Sequence, residues 1–215
     1  MEVNNTFYRL PDASSFDRWR DGTPPGFVVT VKANRFITHV KRMKDAAEPL
    51  ETFWDRTKRL GDKLGPVLFQ FPPRFRADHE RLEVFCALLL RGMKAAFEFR
   101  DPSWETPGTY EILDAAGAAF VLGEWPNDEP PDVLCSGWSY VRLHKGGPVR
   151  PGYSRRKLER WADRVVAMDA SDVYVYFNND TSGAALRDAR TLTSLLGGLG
   201  ADVRGPRGKP ERKAG

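Results

Sequence analysis

This chain carries very little with which to bind a metal or build a disulfide scaffold. Its 215 residues include two cysteines, Cys86 and Cys135, in no paired spacing, and three histidines, His39, His79 and His144. Zinc sites and disulfide frameworks need clustered thiols or imidazoles. A multi-zinc hydrolase centre is therefore hard to build, and neither a metal nor another cofactor is expected. Also missing is any apolar run approaching the roughly 18 residues that cross a bilayer. The opening residues lack the basic-then-apolar order of a secretory signal. No membrane partner is expected, and a cytoplasmic address follows.

An excess of either charge is missing too, once the last residues are set aside. The formal net charge of +4 comes from 33 Lys and Arg against 29 Asp and Glu. Residues 204–215 hold Arg204, Arg207, Lys209, Arg212 and Lys213 against Glu211, five cations against one acid, which accounts for all of it and leaves 1–203 neutral. This Gly/Pro-rich stretch has too little apolar surface to order itself. Residues 201–215 are expected to be a disordered basic tail in weak, non-specific contact with polyanions at most. Residues 1–200 have the length of one large α/β domain.

What is present is a regular alternation. Short β-rich runs recur at 1–5, 26–33, 66–71, 94–100, 118–123, 139–144 and 172–178. Amphipathic stretches separate them, with apolar stripes such as Leu50, Phe53, Trp54 and Leu60, or Leu158, Trp161, Val165 and Met168. Ser154, and Thr181 or Ser182, stand where helix caps belong. Alternating β and α predicts parallel strands joined by right-handed crossovers.

A doubly wound sheet and a closed barrel both meet that description, and strand parity decides between them. Strands covered by helices on both faces read as continuous apolar runs. Here one parity is apolar, as in Val29 and Val31, Phe69 and Phe71, or Phe97 and Phe99. The other carries Glu2 and Asn4, Thr30 and Lys32, Gln70, Glu98 and Arg100, Arg142 and His144, and Asn178. Helices must cover the apolar face, so the polar face looks into a barrel whose C-terminal mouth becomes a pocket. The run at 118–123 breaks the pattern and is expected to serve packing.

The segments "EVNNTFYRLP", "GFVVTVKA" with "ITH", "LGDKLGPVLFQFPPRF", "FEFRDPSW", "YVRLHKG" and "VYVYFNNDTSGAALRDA" resemble, in order and spacing, the domain-of-unknown-function 72 or YecE-like family. The resemblance covers residues 2–196. It implies a TIM-type (β/α)8 barrel with no settled biochemical role. It also implies one further strand, with a Gly-Trp motif, before the strand at 1–5. The expectation is thus an N-terminally incomplete barrel of seven strands with a seam between strands 1–5 and 172–178.

The mouth should gather Glu2, Asn4, Lys32, Gln70, Glu98, Arg100, Arg142, His144, Asn178, Asn179 and Asp180. A structural ion network could account for any one of these, but so many polar groups on one barrel rim favour a ligand site. Loops add Arg35, Lys41, Arg42 and Lys44 against Asp45, then Arg74 and Arg76, then Lys145, Arg150, Arg155, Arg156 and Lys157, with an acidic sector of Glu124, Asp128, Glu129 and Asp132. A small polar ligand, anionic or phosphorylated, fits such a rim. Lys32, Arg100, Arg142 and the Asn178-Asn179 helix start would hold it, with Glu98 and His144 as candidate general base and acid. Paired Glu2 and Glu98 could serve glycoside hydrolysis, yet adjacent cations would keep both ionised. Cofactor-free hydrolysis or isomerisation is the enzymatic expectation. The rivals are a nucleic-acid binder using the rim and tail, and a non-catalytic product. Of the aromatics, Phe7 and Trp104 are expected to anchor loops; Tyr8, Phe75, Trp125 and Tyr153 could also stack a ligand.

Overall fold

A computed structural model describes residues 1–124, 130–144 and 151–204. They fall into two compact units, Met1–Leu122 with Pro131–Tyr140, and the described residues within Gly123–Pro130 and Val141–Gly215. In the first lie β1 (Glu2–Val3), α1 (Ala13–Asp21), β2 (Val29–Lys32), α2 (Ala47–Thr57), β3 (Leu64–Gln70), α3 (His79–Ala87), β4 (Ala95–Glu98), α4 (Pro107–Ala115) and most of β5 (Ala119–Glu124). After β6 (Ser139–Leu143), the second holds α5 (Arg155–Ala167), β7 (Val173–Phe177) and α6 (Ala184–Gly198).

The seven strands form one sheet in the order of the sequence, β1 to β7. Pairing from β1 through β5 is parallel. Right-handed crossovers that always step the same way put every helix on one face. A doubly wound sheet needs a reversal in strand order, and there is none. The fold is therefore α/β of the TIM type.

Parity holds through the first unit. Val31 pairs with Val67 and Phe69 with Phe97, while Lys32 pairs with Leu68 and Gln70 with Glu98, so each strand alternates in step with its neighbours. On the apolar side Phe69 stacks on Phe97 at 5.4 Å, and Phe85 of α3 meets both edge-on. That is the helix-facing core. Gly65, the second residue of β3, has no room for a side chain, since a Cβ there would lie 2.5 Å from Val28 Cγ1; the close approach coincides with a register shift between Val29 and Val31.

Three boundaries differ from expectation, each for a local reason. β1 ends at Val3 because Asn5–Phe7 form a 3-10 turn, fixed by the Thr6 hydroxyl donating to Lys32 O at 2.7 Å. β4 ends at Glu98, and the Asp101 side chain, accepting from Ser103 N, turns the chain before Trp104. Ser154 does cap α5, accepting from Lys157 N. Neither Thr181 nor Ser182 caps α6: Ser182 has φ 55° and Gly183, with φ 68°, occupies the cap position without a side-chain bond. Among the described residues no helix is long and apolar enough to cross a membrane.

Candidate functional site

The inward parity of β2, β3 and β4 puts Lys32, Gln70 and Glu98 side by side. Lys32 Nζ donates to Gln70 Oε1 at 2.7 Å, and Gln70 Nε2 donates to Glu98 Oε1 at 2.8 Å. Arg100, two residues beyond Glu98, places Nε 3.5 Å from the same oxygen. Lys32, Gln70 and Glu98 are all buried, whereas the Arg100 side chain keeps 35% of its exposure. Charges and amides survive burial only when paired. The amide of Gln70 does this by accepting from the cation and donating to the anion.

Glu2 and Tyr140 extend the polar interior. Tyr140 Oη donates to Glu2 Oε2 at 2.6 Å, and Asn4 Nδ2 donates to Glu2 Oε1 at 3.0 Å. β1 and β6 stand five strand intervals apart in the sheet, about 24 Å if it were flat. A hydrogen bond between their side chains requires the sheet of the first unit to roll, with its polar parity on the concave side.

His39, which follows β2 in the chain, completes the cluster. It sits on a five-residue π-helical turn, Phe36–Val40, a geometry frequent at functional sites. Phe7 lies between His39, edge-on at 4.9 Å, and the Lys32 ammonium, 4.1 Å from the ring centre. Phe7 therefore touches two polar groups of the site as well as anchoring its turn. Burial first, then the charges of Lys32, Arg100, Arg35 and Arg42, push the imidazole down to about 4. Four cations acting on one half-buried ring is the electrostatic signature of this place. Beyond the ring, Arg42, Met43 and Asp45 take left-handed backbone at φ 47°, 71° and 43°, a strain that persists only where its surroundings impose it.

The remaining candidates belong to the second unit. Arg142 is buried on β6 and His144 follows it half-buried. Asn178 N donates to Leu143 O at 2.8 Å, pairing β7 with β6. Asn179 Nδ2 donates to Pro151 O at 2.8 Å and Asp188 Oδ2 at 2.7 Å, and Asp180 is exposed. Asp188, on α6, also accepts from Tyr153 N at 2.9 Å. These bonds tie a loop to a helix.

Glu124 was placed with the acidic loop, and the structure corrects this. It ends β5, is buried, and bonds both Lys157 and Trp161 Nε1 of α5, the latter at 2.9 Å. Extending the parity Phe120, Leu122 by one residue past Gly123 would have found it, since Phe120 pairs with outward Phe97. Trp104 is an anchor as expected, fully buried, stacked 4.1 Å from Phe99 and donating to Phe75 O. Trp125, Asp128, Glu129, Lys145, Arg150 and the tail at 205–215 lie outside the described residues. Among the described residues no group of three His, Cys, Asp or Glu side chains is placed to hold a metal ion.

The molecule is thus a TIM-type α/β protein whose first unit lines its concave side with bonded charges and presents a cationic cluster at its strand ends. Over residues 1–213 the sequence matches the family described as "protein of unknown function DUF72", and the chain belongs to that family. The UPF0759 protein YunF of Bacillus subtilis (strain 168) is 28% identical over 232 residues, spanning 91% of this chain and 82% of that protein. A crystal structure of a DUF72 family protein from Thermotoga maritima MSB8 superposes with a TM-score of 0.76 at 30% identity, covering 93% of this chain and 84% of that one. A second, from Enterococcus faecalis V583, gives 0.80 at 18% identity over 97% and 87%, a likeness of fold alone.

Proposed function

We propose that the first unit binds a small anion at the C-terminal ends of β2, β3 and β4. Lys32 and Arg100 supply the charge, Gln70 and Glu98 fix both in place, and Arg35 and Arg42 draw the ligand in. The observation that carries this reading is the bonded run of Lys32, Gln70, Glu98 and Arg100 on one face, with Lys32 and the half-buried His39 both against Phe7. Glu98, bonded to Gln70 and Arg100, supplies one negative charge to this group, and a bound anion would supply another. Mouths of TIM-type folds bind phosphate esters at strand ends for the same reason. The proposal concerns binding: Glu98 is read as the group that holds Arg100 and Gln70.

Thermal-shift measurements with inorganic phosphate, pyrophosphate and phosphorylated sugars test it. An anion at about 100 times its dissociation constant adds about 2.7 kcal/mol, a rise of roughly 5–10 °C for a chain of this size. Arg100→Ala should cut the rise to about half or less. No rise with any of these anions in the wild type would overturn the proposal.

A further inference from the structure

The geometry points to a proton-coupled site: the anion is taken up together with one proton from solvent, and His39 is the group that accepts it. This rests on the anion-binding reading above and specifies how that site responds to pH.

His39 Nδ1 lies 2.9 Å from Thr38 Oγ1, and Nε2 has no hydrogen-bond partner among the described residues. Phe7 meets the ring edge-on at 4.9 Å and holds the Lys32 ammonium 4.1 Å from its own ring centre. Four cations act on the ring: Lys32 from β2, Arg100 from the turn after β4, and Arg35 and Arg42 flanking the π-helical turn itself. Arg42 Nε donates to the His39 carbonyl at 3.3 Å, which fixes that arginine to the same turn. The acid nearest in the network, Glu98, is bonded to Gln70 and Arg100. Asp45 is exposed and 3.9 Å from Lys41, and α2, which packs on the turn, carries Glu48 and Glu51 in solvent.

Without a bound anion, burial and the charges of Lys32, Arg100, Arg35 and Arg42 oppose a fifth positive charge, so the imidazole stays neutral. A bound dianion reverses the sign of the local field and removes that opposition. Protonation then makes both ring nitrogens donors, Nδ1 toward Thr38 and Nε2 toward the ligand. Linkage is reciprocal: if the anion raises proton affinity, lower pH raises anion affinity by the same factor. One linked proton gives up to about tenfold per pH unit. His39 thereby discriminates by pH, favouring the anion under mildly acid conditions.

Sulfate is the probe, because its own charge is constant across this range. Calorimetric titration at low ionic strength between pH 5 and 8, in buffers of different ionisation enthalpy, counts protons taken up. Expected are uptake approaching one proton near pH 5 to 6, little at pH 8, and affinity rising as pH falls. His39→Gln should remove both the uptake and the slope, whatever its affinity at pH 8. Sulfate binding without uptake, or with a slope that His39→Gln leaves intact, overturns this inference and leaves the anion site standing. No sulfate binding at any pH overturns both. Should His39→Gln fold poorly, an NMR titration of the wild-type imidazoles decides: the His39 resonance must titrate at higher pH with sulfate than without, and an unchanged midpoint overturns the inference.

Discussion

The two units bury polar side chains to different ends. In the first, Lys32, Gln70 and Glu98 bond one another across adjacent strands, and the cluster opens onto Arg100 and His39. In the second, Glu124 bonds Lys157 and Trp161, and Asp188 holds Asn179 and Tyr153 N, so the partners join strand or loop to helix. A buried acid is thus evidence of a site only when its partners also face the concave side. Where they come from a helix, the same burial is structural.

The largest effect that would sharpen this contrast is expected at a purely structural position. Trp104→Ala removes a fully buried indole stacked on Phe99 and should cost about 3–5 kcal/mol in denaturant unfolding. Asp188→Ala leaves Tyr153 N and the Asn179 amide without their acceptor. A loss of about 2–3 kcal/mol is expected, with sulfate affinity within twofold of wild type; a large loss of affinity would break the distinction between the units. Arg100→Ala should behave in the opposite manner. Its partly exposed contact with Glu98 is worth less than about 1 kcal/mol to stability, while anion affinity should fall at least tenfold. The last effect is one of pH. Because the folded His39 titrates at about 4, below its ordinary 6.5, the unfolded chain takes up a proton between those values and the folded chain does not. The stability this residue contributes is complete above pH 6.5 and declines as pH falls to about 4. His39→Gln should flatten that part of the unfolding-versus-pH curve.

Much of the first unit was legible because strand parity is strict. Once β2, β3 and β4 are parallel and in register, Lys32, Gln70 and Glu98 have no choice but to share a face. Parity did not reveal where strands stop. β4 ends two residues before Arg100 and β5 runs one past Gly123, since a side-chain capped turn and a buried strand–helix bond decide those ends. The helix start at α6 was illegible for a related reason: left-handed Ser182 and Gly183 form the turn there, so the hydroxyls that look like caps are not used. His39 could be placed after the Lys32 strand but not assigned its part. The π-helical turn that holds it depends on Phe7 and on the cations around it, contacts between segments that no local pattern encodes.

Anion binding at the concave polar cluster of the first unit can be seen by anomalous diffraction from crystals soaked in selenate, a heavy analogue of sulfate. A selenium peak is expected within hydrogen-bonding reach of Arg100 and beside His39 and Lys32. Selenate bound only elsewhere, with this place left without a peak at saturating concentration, would contradict it.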